Sequence, residues 1–143
     1  MRTRFLLVFL LIFSLQSLYI HSLTPPKREF RGTWIHTVGQ DRYMNLDEVA
    51  MKRYFATLLD SLQLAGINTV IFQVRPEADA WFNSPFEPWS RYITGVQGKN
   101  PGWDPTAYLI DACHRRNMDF HAWINPYRVR TSPTKTLSPD HLY

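Results

Sequence analysis

The stretch Ile67-Asn-Thr-Val-Ile-Phe-Gln-Val-Arg75 decides the fold. Its first part is almost wholly apolar and rich in β-branched residues, the pattern of a parallel strand covered on both faces. Its end is polar: Gln73 and Arg75 share one face, and Phe72 and Val74 share the other. Upstream, Phe30–Thr37 (FRGTWIHT) reads as a first strand with Gly32, Trp34 and His36 on one face and Thr33 and Ile35 on the other. Downstream, Met118–Asn125 reads as a third strand, with His121, Trp123 and Asn125 opposite Phe120, Ala122 and Ile124.

Helical patterns separate these strands. Phe55, Leu58, Leu59 and Leu62 recur at helical spacing. Asn45 with Glu48 three residues on resembles a capping box that opens this helix, and Gly66 is a natural residue to close it after about Ala65. Asp104-Pro105 is a capping residue followed by a proline at the first helical position. The second helix then runs to about Arg116 with Tyr108, Leu109, Ala112 and Cys113 inward. The order β-α-β-α-β implies a parallel sheet. Periodicity alone does not separate an open doubly wound sheet from the beginning of a barrel. Polar and aromatic residues gathered on one face near the strand ends favour the barrel, whose mouth is built there. No glycine-rich phosphate loop supports a nucleotide fold.

Between Pro76 and Trp103 lies a loop of nearly thirty residues with no element of its own, a length that usually marks function. Trp81, Phe82, Phe86, Trp89, Tyr92 and Trp103 crowd it. Sugar rings present apolar C–H faces that pack on flat aromatics, and Trp N–H and Tyr O–H add polar handles. The competing role for at least half of these rings is a small satellite core beneath the loop. Trp89 and Trp123 are the residues expected to stack on a sugar. Gln73, His121 and Asn125 can both donate and accept hydrogen bonds, as polyols require, although His121 also fits a buried, satisfied core position. Arg75 offers a fork of donors for hydroxyls or a carboxylate, or equally an internal ion pair. Trp34 and His36 share the mouth face, and Tyr127 and Arg128 follow the third strand on its rim.

The chain resembles the glycosyl-hydrolase-like family 10, exported bacterial proteins with a (β/α)8 (TIM) barrel domain. The matching segments are Arg31-Gly-Thr-Trp34, Gly66-Ile-Asn68 through Gln73-Val-Arg75, Glu87-Pro-Trp89-Ser90, Tyr92-Ile-Thr-Gly95, Gly98, Gly102-Trp103-Asp104-Pro105, and His121-Ala-Trp-Ile-Asn-Pro-Tyr-Arg128. Together they run from about Glu29 to Arg130. The resemblance implies hydrolysis of O-glycosidic bonds in a bacterial cell-wall glycan, with peptidoglycan stripped of its peptides as one such substrate. It implies no cofactor. The alternative is a non-catalytic glycan-binding or vestigial module.

Glycoside hydrolysis needs two carboxyl groups about 5–10 Å apart. Glu77, Asp79, Glu87 and Asp104 are the available acids. Asp104 is better explained as a helix cap. Asp79 is the best catalytic candidate, against the competing expectation of an Arg75–Asp79 ion pair that holds the loop. In many barrel glycosidases the decisive carboxylates lie on later strands. The roughly 120 residues after the N-terminal segment make about half of the ~250 a complete barrel needs. The expectation is therefore an α/β fold comprising the β-α-β-α-β beginning of a truncated barrel over 30–143, preceded by a leader at 23–29. His36 and His121 do not make the His-x-His pattern of barrel metal hydrolases, so no metal is expected.

Residues 1–22 read as a secretory signal peptide: Met1-Arg-Thr-Arg4 is basic, and Phe5–Phe13 is apolar but short of the ~20 residues a membrane span needs. An uncleaved anchor is the competing reading. Export to a bacterial periplasm or cell surface follows. No cysteine trails the apolar run, so a lipoprotein anchor has no attachment point. With Arg2 and Arg4 set aside, the formal net charge of +4 falls to +2, too little to argue for nucleic acid. The lone Cys113 cannot form an internal disulfide and suits a buried small apolar position.

Overall fold

The computed structural model describes residues 29–142; the expected signal peptide (1–22) and most of the leader lie outside them. The strands are β1 (Gly32–Ile35), β2 (Thr69–Arg75) and β3 (Asp119–Ile124). They form one parallel sheet in the order β1-β2-β3. Two long helices connect them, α2 (Glu48–Leu64) and α4 (Pro105–His114). One-turn helices α1 (Asp41–Met44) and α3 (Arg91–Thr94) sit in the intervening loops.

The alternation of the strands sorts their side chains by chemistry. In register, Thr33 pairs with Val70 and Val70 with Phe120, while Ile35 pairs with Phe72 and Phe72 with Ala122. These residues face the helices. Met51, Phe55 and Leu59 of α2, spaced four apart, and Leu109, Ala112 and Cys113 of α4 close over Val70, Phe72 and Val74 in one core. Both connecting helices therefore cover the same side of the sheet. This is single winding; a doubly wound sheet would place helices on both sides. Trp34, Ile71, His121, Gln73 and Trp123 belong to the opposite face, where Trp34 is 63% exposed.

The helix caps differ in one detail from the sequence reading. Asn45 does not cap α2. It closes the short α1, where Nδ2 donates to the Asp41 carbonyl at 3.2 Å. Tyr43 of α1 is buried against Phe55 and Trp81, and that docking uses up the Asn45 position before α2 begins. Asp47 caps α2 instead, its carboxylate accepting from the Ala50 N–H at 2.7 Å. Asp104 caps α4 as expected, accepting from the Ala107 N–H at 2.9 Å, with Pro105 inside the first turn. Gly66 follows α2 at φ +80°, the left-handed conformation a C′ residue needs.

The long loop is not structureless. Ala80 and Trp89 form an isolated parallel bridge: the Ala80 N–H donates to Pro88 O at 2.9 Å, and the Ser90 N–H to Ala80 O at 2.8 Å. Trp81 does not belong to a satellite cluster. It is fully buried in the main core, edge-on to both Tyr43 and Phe72 at 5.4 Å. Phe82, Trp89 and Trp103 pack partly against that core, and Phe86 stays 78% exposed. Cys113 is buried as expected, and burial pushes its thiol pKa up to about 11, far from the reactive thiolate range.

These packing differences make a paired prediction. Leu59→Ala removes a fully buried side chain and should cost about 2–5 kcal/mol of unfolding free energy. Phe86→Ala, at an exposed loop position, should stay within about 0.5 kcal/mol of the parent. Urea denaturation of both variants checks the contrast; equal losses would contradict this assignment of the core.

Candidate functional site

The open face of the sheet carries an aromatic pair. Trp34 on β1 and Trp123 on β3 meet edge to face, with centroids 5.0 Å apart and planes at 86°. β2 lies between their strands, and alternate strands of a sheet stand about 9–10 Å apart. The two rings therefore lean toward each other across β2 on the unfilled side. Trp123 Nε1 donates to Asn125 Oδ1 at 3.0 Å, and Asn125 Nδ2 donates to Pro76 O at 3.3 Å. These bonds orient Trp123 and hold Asn125 at the C-terminal end of β3. His36 is exposed just beyond β1, with its ring nitrogen in contact with the Gln40 amide. Tyr127 and Arg128 are exposed beyond β3, Tyr127 at 93%. His121 is exposed lower on the same face, its ring 5.9 Å from Phe30, and is not the buried core histidine allowed by the sequence.

Four of the expected site residues, Gln73, Trp89, Arg75 and Asp79, are engaged or placed elsewhere. Gln73 shares the open face by register, yet it is 1% exposed. Its Oε1 accepts from the backbone N–H groups of Thr37 at 2.8 Å and Val38 at 3.2 Å, and Thr37 Oγ1 donates to Gln73 O at 3.1 Å. The chain leaving β1 folds over Gln73, so its amide braces the end of β1 and is not presented to solvent. Trp89 is half-buried in the loop packing, away from the Trp34–Trp123 pair, and lines a separate cavity with Trp103.

Arg75 does not pair with Asp79. Its Nε donates to both Glu87 oxygens, at 2.7 and 2.9 Å, and Nη2 completes a two-pronged ion pair. Nη1 donates to the backbone carbonyls of Asn125 and Pro126. One guanidinium thus ties the loop to the end of β3. The side chains are only 17% and 10% exposed, which shields the pair from solvent. A register shift between Gln73 and Arg75 opposite β3 turns Arg75 into this position.

Asp79 is 0% exposed. Its Oδ1 accepts from the Glu77 N–H at 3.1 Å and its Oδ2 from Gln97 Nε2 at 3.0 Å. Burial raises its pKa above the ordinary 3.8, opposed by the hydrogen bonds from Gln97 and the Glu77 backbone. The nearby Glu77 carboxylate adds a smaller upward push. A carboxyl so enclosed presents no surface to a glycan in this structure. Glu77 is also buried, accepting from the Thr131 N–H and from Lys135 Nζ at 3.2 Å. Its backbone carbonyl meets His141 Nε2 at 2.9 Å, and Ser138 N donates to Gln97 Oε1 at 3.0 Å. The segment from Val129 to His141 is thereby folded back on the loop. Sequence reading missed this clasp: Glu77 and Lys135 lie 58 residues apart, and no periodicity links them.

Two measurements test these assignments. Glu87→Gln should cost about 3 kcal/mol by leaving the Arg75 charge shielded and uncompensated, whereas an Arg75→Met, Glu87→Leu double variant should lose less than the two single losses summed. Strict additivity by denaturant unfolding would show the pair to be uncoupled. For Asp79, a folded pKa above the unfolded one means that the folded state holds the extra proton. The stabilisation it brings is therefore fully present below about pH 4 and lost as pH rises through the raised value. Asp79→Asn should flatten the pH dependence of Tm over that window; an unchanged slope would contradict the assignment.

The profile of the family described as Glycosyl hydrolase-like 10 matches residues 29–142. The chain is 45% identical over 119 residues to Glycosyl hydrolase YngK of Bacillus subtilis strain 168, covering 80% of this chain and 23% of that protein. It is 40% identical over 109 residues to Glycosyl hydrolase DigH of Escherichia coli K12, covering 69% of this chain and 25% of that protein. The chain thus spans about a quarter of the length of the curated relatives it matches. With the match running through every described element from β1 to the clasped tail, the chain belongs to the glycosyl hydrolase-like 10 family.

Proposed function

We propose that this chain supplies the opening β-α-β-α-β units of a (β/α)8 barrel and that its strand-end surface binds a bacterial cell-wall glycan whose O-glycosidic bonds the complete family domain hydrolyses. The observation that carries the reading is the Trp34–Trp123 pair beside Asn125 on the open face of a singly wound parallel sheet. A barrel places its substrate at the C-terminal ends of its strands. Flat rings flanked by an amide suit the mixed apolar and hydroxyl surface of a sugar. His36, Tyr127 and Arg128 extend that surface along its rim. The names of the two relatives, both glycosyl hydrolases, point the same way.

The four acids weighed as catalytic groups are all engaged structurally: Glu77 with Lys135, Asp79 with Gln97, Glu87 with Arg75, and Asp104 as a helix cap. This favours a division of labour in which the strand-end residues bind and orient glycan while the acid and its partner carboxylate come from outside the described residues. A binding module without hydrolysis shares the same surface, and turnover separates the two readings. Peptide-free peptidoglycan is the substrate proposed, and an exported protein at the bacterial periplasm or cell surface is the setting that matches it. No helix among the described residues is long and apolar enough to cross a membrane.

The test uses peptide-free glycan strands with two readouts, sedimentation binding and release of reducing ends. Binding should weaken about tenfold in Trp123→Ala, the scale of losing ring contact worth ~1.4 kcal/mol. Release of reducing ends should accompany binding by the protein carrying the complete family domain. Unchanged binding in Trp123→Ala would remove this surface from the substrate site, and binding without release would leave the module reading in place of the hydrolase.

A further inference from the structure

A second feature of sugar-binding character lies apart from the strand-end surface. Trp89, Trp103, Asn83, Asn100 and Asp104 line a cavity of about 260 Å³ with Gly102. It meets a second cavity of about 330 Å³ at Asn100 and Trp103; Glu48, Thr94 and Lys99 are among the further residues lining the latter. None of Trp34, His36, Trp123, Asn125, Tyr127 or Arg128 lines either space. The two cavities form a trough that passes over Trp103, between the long loop and the start of α2.

We infer that this trough is an accessory glycan subsite that holds two linked pyranose rings, one of them bearing a carboxylate; the inference rests on the glycan reading proposed above. Four features support it. The trough has flat aromatic walls at Trp89 and Trp103, and Trp103 is fixed in place by an edge contact with Tyr108 at 6.1 Å and by Lys52 Nζ 5.1 Å from its ring centroid. Asn100 Oδ1 accepts from the Gly102 N–H at 2.8 Å, which orients the amide and leaves its NH₂ as a donor for a hydroxyl or carbonyl. Gly102 stands at φ +83° with nothing within 4 Å of the place a Cβ would occupy, so the wall there is open to a ligand. Each cavity is near the lower end of the ~300–1,000 Å³ typical of ligand sites, a size for one ring apiece.

Charge decides the acidic ring. Lys99 is exposed on the second cavity and its ammonium makes no ion pair among the described residues. The acids on the same cavity are engaged: Asp47 caps α2, accepting from the Ala50 N–H at 2.7 Å, and Glu48 is paired with the nearby Lys52. Lys99 is therefore the cation available to a sugar carboxylate, while Asn100 at the junction serves either ring. Asp104 gives both oxygens to backbone N–H groups, Ala107 and Asn83, and so acts as a wall and not as a general acid.

The experiment is calorimetric titration of the protein with two probes: the peptide-free tetrasaccharide of alternating N-acetylglucosamine and N-acetylmuramic acid, and uncharged chitotetraose. Asn100→Ala should weaken both probes about fivefold, the scale of one lost hydrogen bond. Lys99→Glu, an exposed substitution with no structural partner to lose, should weaken the acidic tetrasaccharide by a similar factor and leave chitotetraose unchanged. In the Trp123→Ala background the residual affinity should fall further with either change. If both variants match their parents in both backgrounds, the subsite is refuted, whatever Trp123→Ala does. If the trough variants lose affinity and Trp123→Ala does not, the subsite stands and the strand-end reading falls. Absence of any binding by the unsubstituted protein overturns both.

Discussion

One guanidinium organises the end of the sheet where a site can form. Arg75 finishes β2, and its fork of donors is divided between Glu87 in the long loop and the backbone carbonyls that follow β3. A lysine's donors radiate from one atom, whereas the planar fork carries directed donors on three separate nitrogens and so spans partners that lie on opposite sides. This link joins the loop after β2 to the chain where it leaves β3, beside the contacts that Glu77 and Gln97 make farther along that chain. Asn125 depends on it directly: its N–H donates to the Arg75 carbonyl at 3.1 Å while its own carbonyl receives the guanidinium. Trp123 in turn takes its orientation from Asn125. The aromatic surface is thus downstream of an ion pair that never touches it.

The same end of the sheet has a second anchor made from acids. Glu77 and Asp79 follow β2 directly, point into the packing, and are enclosed by residues from the far end of the chain: Thr131, Lys135, Ser138 through Gln97, and His141. Placing two carboxyl groups in the interior is costly unless each finds donors. Here one is matched by an ammonium and the other by an amide, and burial holds the latter carboxyl toward its protonated form. The loop of nearly thirty residues can then carry Trp81 into the core from one side while its outer face shapes the trough at Trp89 and Trp103.

The regular elements were legible because each rests on local rules. The apolar run in β2, the four-residue spacing in α2 and the Asp-Pro start of α4 need no distant partner to be read. The displaced cap shows where local rules stop: Asn45 and Asp47 are both good capping residues, and the burial of Tyr43 chose between them. The site was legible by position and less so by role. Trp34 and Trp123 meet on the face that strand alternation gives them, with Asn125 bonded to Trp123, and His36, Tyr127 and Arg128 lie exposed just beyond β1 and β3. Gln73 obeys the same alternation and is nonetheless buried, because the chain after β1 folds across it. Arg75 chose a carboxylate twelve residues away over one four residues away. That choice is a property of the loop's path, which its own bridge between Ala80 and Trp89 determines.

Why the acids are spent on structure follows from the demands of each task. A catalytic carboxyl in a glycosidase must face the substrate and exchange a proton or a bond with it. Glu87 facing Arg75, and Glu77 facing Lys135, are each matched to a fixed cation, and turning either toward a sugar would leave a shielded positive charge without its partner. Trp34 and Trp123 carry no such obligation, since their exposed ring surfaces lose nothing by meeting an apolar sugar face. What these residues can offer without unbuilding the fold is exposed ring surface, in keeping with the binding role proposed above. The Trp34 and Trp123 rings that carry it stand on a sheet face that no element among the described residues covers.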